Sequence, residues 1–203
     1  MKETNLLLIA LLAAIVLLVG CRESDDKESD AARKSDDDTF NLEMFNREWA
    51  LWEAQAIANY AFTVEQELTE YPPHDFRACV TVANNAISGI EVLSLKDYLA
   101  SFNPGEPGFE ENIKRAETEY INYVESTVNQ WEGGITGIYG WLSSSFLPTI
   151  KKLSEEGKAR YNAQYHYLEY LDTGSKRFRG KEPEGIEGDG YYILKISDFQ
   201  IAK

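Results

Sequence analysis

The chain has 203 residues, 43% of them hydrophobic, and a formal net charge of -14. That acidity excludes phosphate backbones and anionic headgroups as electrostatic partners, since either requires clustered Lys and Arg, so no nucleic acid is expected as a partner. The length suits one ordinary domain that buries well over half of its unfolded surface.

Residues 1–20 read as a secretory leader: a basic start at Lys2, an apolar run from Leu6 to Val19, and then Leu18-Val19-Gly20-Cys21 before an abrupt polar turn. The apolar run is shorter than the roughly twenty residues a bilayer span needs, so anchoring is expected rather than spanning. The pattern is a bacterial lipobox. It predicts that Cys21 takes a diacylglycerol, that the preceding peptide is removed, and that acyl chains hold the mature chain on a membrane of the bacterial envelope. Arg22 stands where an Asp would favour the inner membrane, so the outer membrane is the expected address in a diderm host. Residues 21–39 form the lipidated Cys and an acidic tether. From Arg22 to Thr39 there is no aromatic or branched aliphatic residue to offset the entropy of ordering.

A single domain is expected over residues 40–203. Leu42, Phe45, Trp49, Trp52 and Ala56 share one face of a predicted helix from Asn41 to Ala58, capped by Asn41 and with Glu43 in its first turn. Tyr60 to Val64 alternates as a strand, and Tyr71-Pro72-Pro73-His74 reads as a loop. Strands are predicted over Phe76–Ala83 and Ala86–Leu93, joined at Asn84-Asn85, because Asn tolerates the left-handed backbone of tight hairpins. The remaining cysteine, Cys79, reads as a small core residue without a disulfide partner once Cys21 is acylated.

Ser94 opens a short predicted helix to Phe102, which the Pro-rich and Gly-rich stretch Asn103–Gly108 ends. Helical spacing then runs from Phe109 to Trp131 through Ile113, Ala116, Tyr120, Val124 and Val128. After Gly133-Gly134 a further helix is predicted from Thr136 towards Gly157, kinked or split at Pro148. Strands are expected over Arg160–Tyr170, Lys176–Gly180 and Tyr191–Ile201, with an acidic loop at Lys181–Gly190. This order, lacking βαβ alternation, predicts an α+β fold: an N-terminal helix, then an antiparallel sheet made of a meander plus C-terminal strands, with helices packed on one face.

The run Trp52-x-x-Gln55-x-Ile57-x-Asn59-Tyr60, then Phe62-Thr63-Val64 and the Val80-x-Val82-x-Asn84 hairpin, resembles a family of small secreted bacterial lipoproteins of unknown function. Ile135–Phe146, Tyr167–Gly174 and Tyr191–Phe199 are similar to its later segments, although Leu171-Asp172-Thr173-Gly174 lacks the Tyr-Pro that closes its turn. The resemblance implies fold and location and carries no chemistry.

Motifs for acyl transfer, zinc proteolysis, phosphate loops, EF-hands or Cys-x-x-Cys redox are missing from the sequence, so no cofactor, no metal and no catalytic residue is assigned. The two histidines, His74 and His166, lie far apart, and the acidic loop Glu182–Gly190 lacks the ligand order of a Ca²⁺ loop. The functional lead is aromatic. Trp131, Tyr139 and Trp141 flank Gly133-Gly134 and Gly137, while Tyr165 and Tyr167 follow along a strand, so these five are either core or the lining of a ligand groove. Alternation puts Tyr165 and Tyr167 on one sheet face and His166, Leu168 and Tyr170 on the other. Two functions follow: a non-catalytic envelope module that binds a protein partner, or a receptor holding a small or extended ligand between sheet and helices.

Overall fold

The computed structural model describes residues 38–68, 75–105, 107–146, 157–173 and 192–202. Helix α1, Leu42–Ala54, is capped by Asn41, whose side chain accepts hydrogen bonds from the backbone amides of Glu43 at 2.8 Å and Met44 at 3.1 Å. It buries Phe45 and Trp52 with Glu48 between them. The helix stops short of the predicted end at Ala58 because Ala56 has a left-handed backbone, φ 52°, that turns the chain into the sheet. Strands β1 (Tyr60–Leu68), β2 (Phe76–Ala83) and β3 (Ala86–Val92) form the expected meander. Asn84 and Asn85, both with positive φ, make its second turn.

Helices α2 (Leu95–Ala100) and α3 (Phe109–Asn129) follow. In α3, Ala116, Tyr120, Val124 and Val128 are buried at intervals of one helical turn. Next comes α4 (Ile135–Trp141), continued by a π-helical turn over Leu142–Phe146. The chain from Leu147 to Glu156, including the expected kink at Pro148, lies outside the described residues, as do Tyr71–His74, Lys176–Gly180 and Lys181–Gly190.

One expected strand is two. Arg160–Tyr170 divides into β4 (Lys158–Tyr161) and β5 (Leu168–Asp172), which pair with each other. The turn between them is built by Asn162, whose side-chain oxygen accepts from the amides of Gln164 at 3.0 Å and Tyr165 at 2.8 Å. His166 then takes a left-handed backbone, φ 63°, and its amide donates to the Asn162 carbonyl at 2.9 Å. Tyr165, His166 and Tyr167 are thus turn residues, and the expected alternation of these side chains across a sheet does not occur.

Strand β6 (Tyr192–Ile201) pairs with β1 on one side and β5 on the other, so the sheet runs β3-β2-β1-β6-β5-β4, antiparallel throughout. The fold is α+β, with helices against one face. Register aligns Val80, Phe62 and, on neighbouring pairs, Val64, Ile196 and Leu194 on that face, where they join the buried side chains of α1, α3 and α4. The opposite face carries Glu65, Arg77, Thr81, Tyr170 and Lys195, with the Arg160 guanidinium 4.8 Å from the centre of the Tyr170 ring.

Cys79 lies on this polar face yet is only 4% exposed. It is disulfide-bonded, which corrects the expectation of an unpaired core thiol. The sequence contains one other cysteine, Cys21, and it lies outside the described residues with the rest of the leader and most of the tether. Among the described residues no helix is long and apolar enough to cross a membrane.

Candidate functional site

The five aromatic residues singled out in the sequence do not form one groove. Trp131 and Tyr139 are fully buried and Tyr167 nearly so, while Trp141 and Tyr165 are half-buried against the core. They fall into separate packing groups. Trp131 meets Trp141 edge-on at 6.3 Å. Tyr139 stacks on Trp49 at 5.9 Å, and its hydroxyl donates to the His166 carbonyl at 2.8 Å. Tyr165 and Tyr167 both lean on Phe199, each at 5.0 Å. The glycines that suggested a groove serve close packing instead. Gly134 has φ +66°, and a Cβ there would fall 2.5 Å from a Val82 methyl and 2.7 Å from the Tyr60 hydroxyl.

An aromatic cleft exists elsewhere, where the end of β1 and the start of β2 meet α2 and α3, with a volume of about 610 Å³. Its apolar wall consists of Phe76 at the start of β2, Tyr98 on α2, Phe102 just beyond it and Tyr120 on α3. Tyr98 lies flat on Tyr120, with ring centres 4.1 Å apart, and meets Phe102 edge-on at 5.4 Å. Three bonds hold this wall to the sheet. The Tyr120 hydroxyl donates to the Asp75 carbonyl at 2.7 Å and contacts the Ser94 hydroxyl at 2.8 Å, while Ser94 Oγ accepts from the Arg77 amide at 2.9 Å. Burial raises the pKa of both tyrosines, so both hydroxyls are neutral at physiological pH.

The rim is polar and mainly acidic. Glu65 and Glu67 share Lys195, each carboxylate 2.6 Å from its Nζ. These hydrogen bonds hold the Lys195 ammonium above its ordinary range and the Glu67 carboxyl below its own. Asp75 Oδ1 accepts from the Leu68 amide at 2.7 Å, whereas Asp97 and the exposed Arg77 guanidinium have no ion-pair partner among the described residues. Four carboxylates and Arg77 therefore border the cleft, and only two of the carboxylates are paired with a cation.

A second polar cluster lies under the β4–β5 turn. Glu48, 6% exposed, accepts from Arg47 at 2.6 Å through one oxygen and contacts His166 Nδ1 at 2.7 Å through the other. Glu48 thus uses both oxygens to clasp α1 to the turn, and Gln55 adds a bond from its side chain to the Tyr165 carbonyl at 2.7 Å. This clasp accounts for a charged residue on the buried face of α1 and for the left-handed His166. Among the described residues, no group of three or more His, Cys, Asp or Glu side chains is arranged to hold a metal ion.

Nothing in the sequence selected the cleft. Phe76, Tyr98, Phe102 and Tyr120 sit at helical or strand positions that read equally well as core, and their convergence depends on the packing of α2 and α3 against β2. The one local signal is Asp97 beside Tyr98, a carboxylate next to an incompletely buried ring.

Fold and site together define an α+β domain with a one-sided helical layer and an aromatic, acid-rimmed cleft at the junction of sheet and helices. No protein-family model matches the chain, and neither a curated protein nor a solved structure matches it.

Proposed function

We propose that the protein is a non-catalytic binding module of the bacterial envelope, held on the membrane by a lipidated Cys21 and engaging its partner through the Phe76–Tyr98–Phe102–Tyr120 cleft. The lipobox Leu18-Val19-Gly20-Cys21 supports the anchor, and the resemblance to secreted lipoproteins of unknown function agrees with that location. The observation that carries the binding reading is the cleft itself, where the half-buried rings of Tyr98 and Phe102 stand over the buried Phe76 and Tyr120 and are bordered by two carboxylates not committed to a cation. An open cleft suits a segment of a protein partner lying along it better than an enclosed small molecule.

Acylation of Cys21 and a disulfide to Cys79 are competing fates of one sulfur, because the chain has no third cysteine. Intact-mass spectrometry of the protein gently extracted from its own membrane, after alkylation without reduction, tests both halves of the reading. The expected species starts at Cys21, carries acyl chains, and retains a stoichiometric protein adduct that Tyr98→Ala releases. An unacylated chain would overturn the anchor, and an adduct indifferent to Tyr98→Ala would overturn the cleft as the binding site.

A further inference from the structure

We infer that the segment this cleft accepts is a cationic, extended peptide in which Lys or Arg alternates with apolar residues; the inference rests on the binding role proposed above. The first argument is charge. Glu65, Glu67, Asp75 and Asp97 face a single lining cation, Arg77, and Lys195 behind the rim neutralises part of Glu65 and Glu67 only. The local balance is negative on a chain whose formal net charge is -14, so the field draws cations towards the cleft before contact.

The second argument is the surface beneath that rim. Tyr98, stacked on the buried Tyr120, and Phe102, edge-on to Tyr98, are only half-buried, so these two rings offer faces and edges to apolar side chains and to the stem of a Lys or Arg. A ring face is also favourable for a guanidinium or ammonium within about 6 Å of its centre. Alternation follows from geometry. The lining combines carboxylates with half-buried rings, and an extended chain sends successive side chains to opposite sides, so one set can meet carboxylates while the other meets rings. An anionic segment would place its charges against Asp75 and Asp97 with Arg77 as the only compensation. Arg77 itself opposes a cationic guest, so removing it tightens binding.

The probe is a synthetic peptide of alternating Lys and Phe, titrated by calorimetry into the detergent-extracted full chain, beside matched peptides with Glu or Gln in place of Lys. The Lys peptide is expected to bind most tightly and to weaken as salt rises. Asp97→Asn should weaken it by about 2-fold to 5-fold, the range of one exposed charge pair. Tyr98→Leu, which keeps the apolar packing on Tyr120, should weaken it by about 5-fold to 10-fold. Arg77→Ala should tighten it. Binding of the Glu or Gln peptide as tightly as the Lys peptide would overturn the cationic assignment while leaving the cleft as a site. Binding of the Lys peptide that ignores Tyr98→Leu and Asp97→Asn would show non-specific attraction to an acidic chain and overturn the inference, as would failure of all three peptides to bind. The separate question of whether the cleft serves a natural partner is decided by the adduct retained from the membrane.

Discussion

Tyr60 shows how one side chain ties three parts of the core together. Its hydroxyl donates to the Gly133 carbonyl and accepts from the Ile135 amide, both at 3.0 Å, so it closes the start of α4 onto β1. Its ring also meets Trp52 edge-on at 5.5 Å, adding α1 to the same contact. Gly134 lies between the two bonded residues with φ 66° and ψ -120°, a backbone region that only glycine occupies readily. Replacing it by Ala adds that strain to a clash with Val82 and the Tyr60 hydroxyl, and Gly134→Ala should destabilise by about 2–4 kcal/mol. Gly140, in the same short helix, has nothing within 4 Å of its missing Cβ. There Ala should stabilise by about 0.5–1 kcal/mol through helix propensity alone. Urea unfolding of the two variants checks the pair. Equal effects would mean that the close approach at Gly134 does not govern the junction.

The β2–β3 hairpin shows where an element is legible in sequence and where legibility stops. Two residues separate two alternating runs, and both are Asn with positive φ, the backbone that a two-residue hairpin turn of matching twist requires. The Asn85 amide donates to the Ala58 carbonyl and the Asn84 amide to the Asn59 side chain, both at 2.9 Å, so the turn is also fixed from outside through its backbone. Asn85→Gly preserves these backbone groups and should raise stability by about 0.5 kcal/mol, whereas Asn85→Val should lower it by about 1–2 kcal/mol; thermal unfolding reads both signs. Helix α3 and this meander were legible because spacing, caps and turn residues are local. The division into β4 and β5 was not, since its left-handed residue is His166, held by the distant Glu48 rather than by any turn preference of its own. The β1–β6 pairing was equally hidden. Lys195 meets Glu65 across 130 residues of sequence, and nothing near either residue announces the other. The aromatic residues stayed open between core and groove for a related reason: helical spacing marks a side chain as inward, and an inward ring can be core, as Trp131, Tyr139 and Tyr120 are, or half-buried cleft wall, as Tyr98 is.

At the scale of the whole molecule, the core is unusually rich in buried phenols, and this gives the fold a defined response to alkali. Burial is the leading cause that raises the pKa of Tyr60, to about 12, and it raises those of Tyr139, Tyr161, Tyr167 and Tyr192 further. In the unfolded chain each phenol returns to its ordinary value near 10. Between these values the native state binds more protons than the unfolded state, so stability falls as pH rises; below about pH 10 this contribution is fully present. Each such tyrosine adds a slope of about 1.4 kcal/mol per pH unit, and five together would remove a typical domain stability of about 5–15 kcal/mol within one or two units. The domain should therefore unfold cooperatively between about pH 10 and 12, before its buried phenols ionise in place. Tyrosinate absorbance and far-ultraviolet circular dichroism, followed together, test this. The absorbance of the buried phenols should rise in one step that coincides with loss of secondary structure. Tyr60→Phe should make that step shallower by removing one of the five phenols, even though it also lowers stability at neutral pH by leaving the Ile135 amide without its acceptor. Gradual ionisation of all the phenols with the circular dichroism unchanged would mean that solvent reaches these rings in the native state. The tight core built around Tyr60, Tyr139 and Tyr192 would then be wrong, and with it the placement of the cleft at the edge of a solid interior.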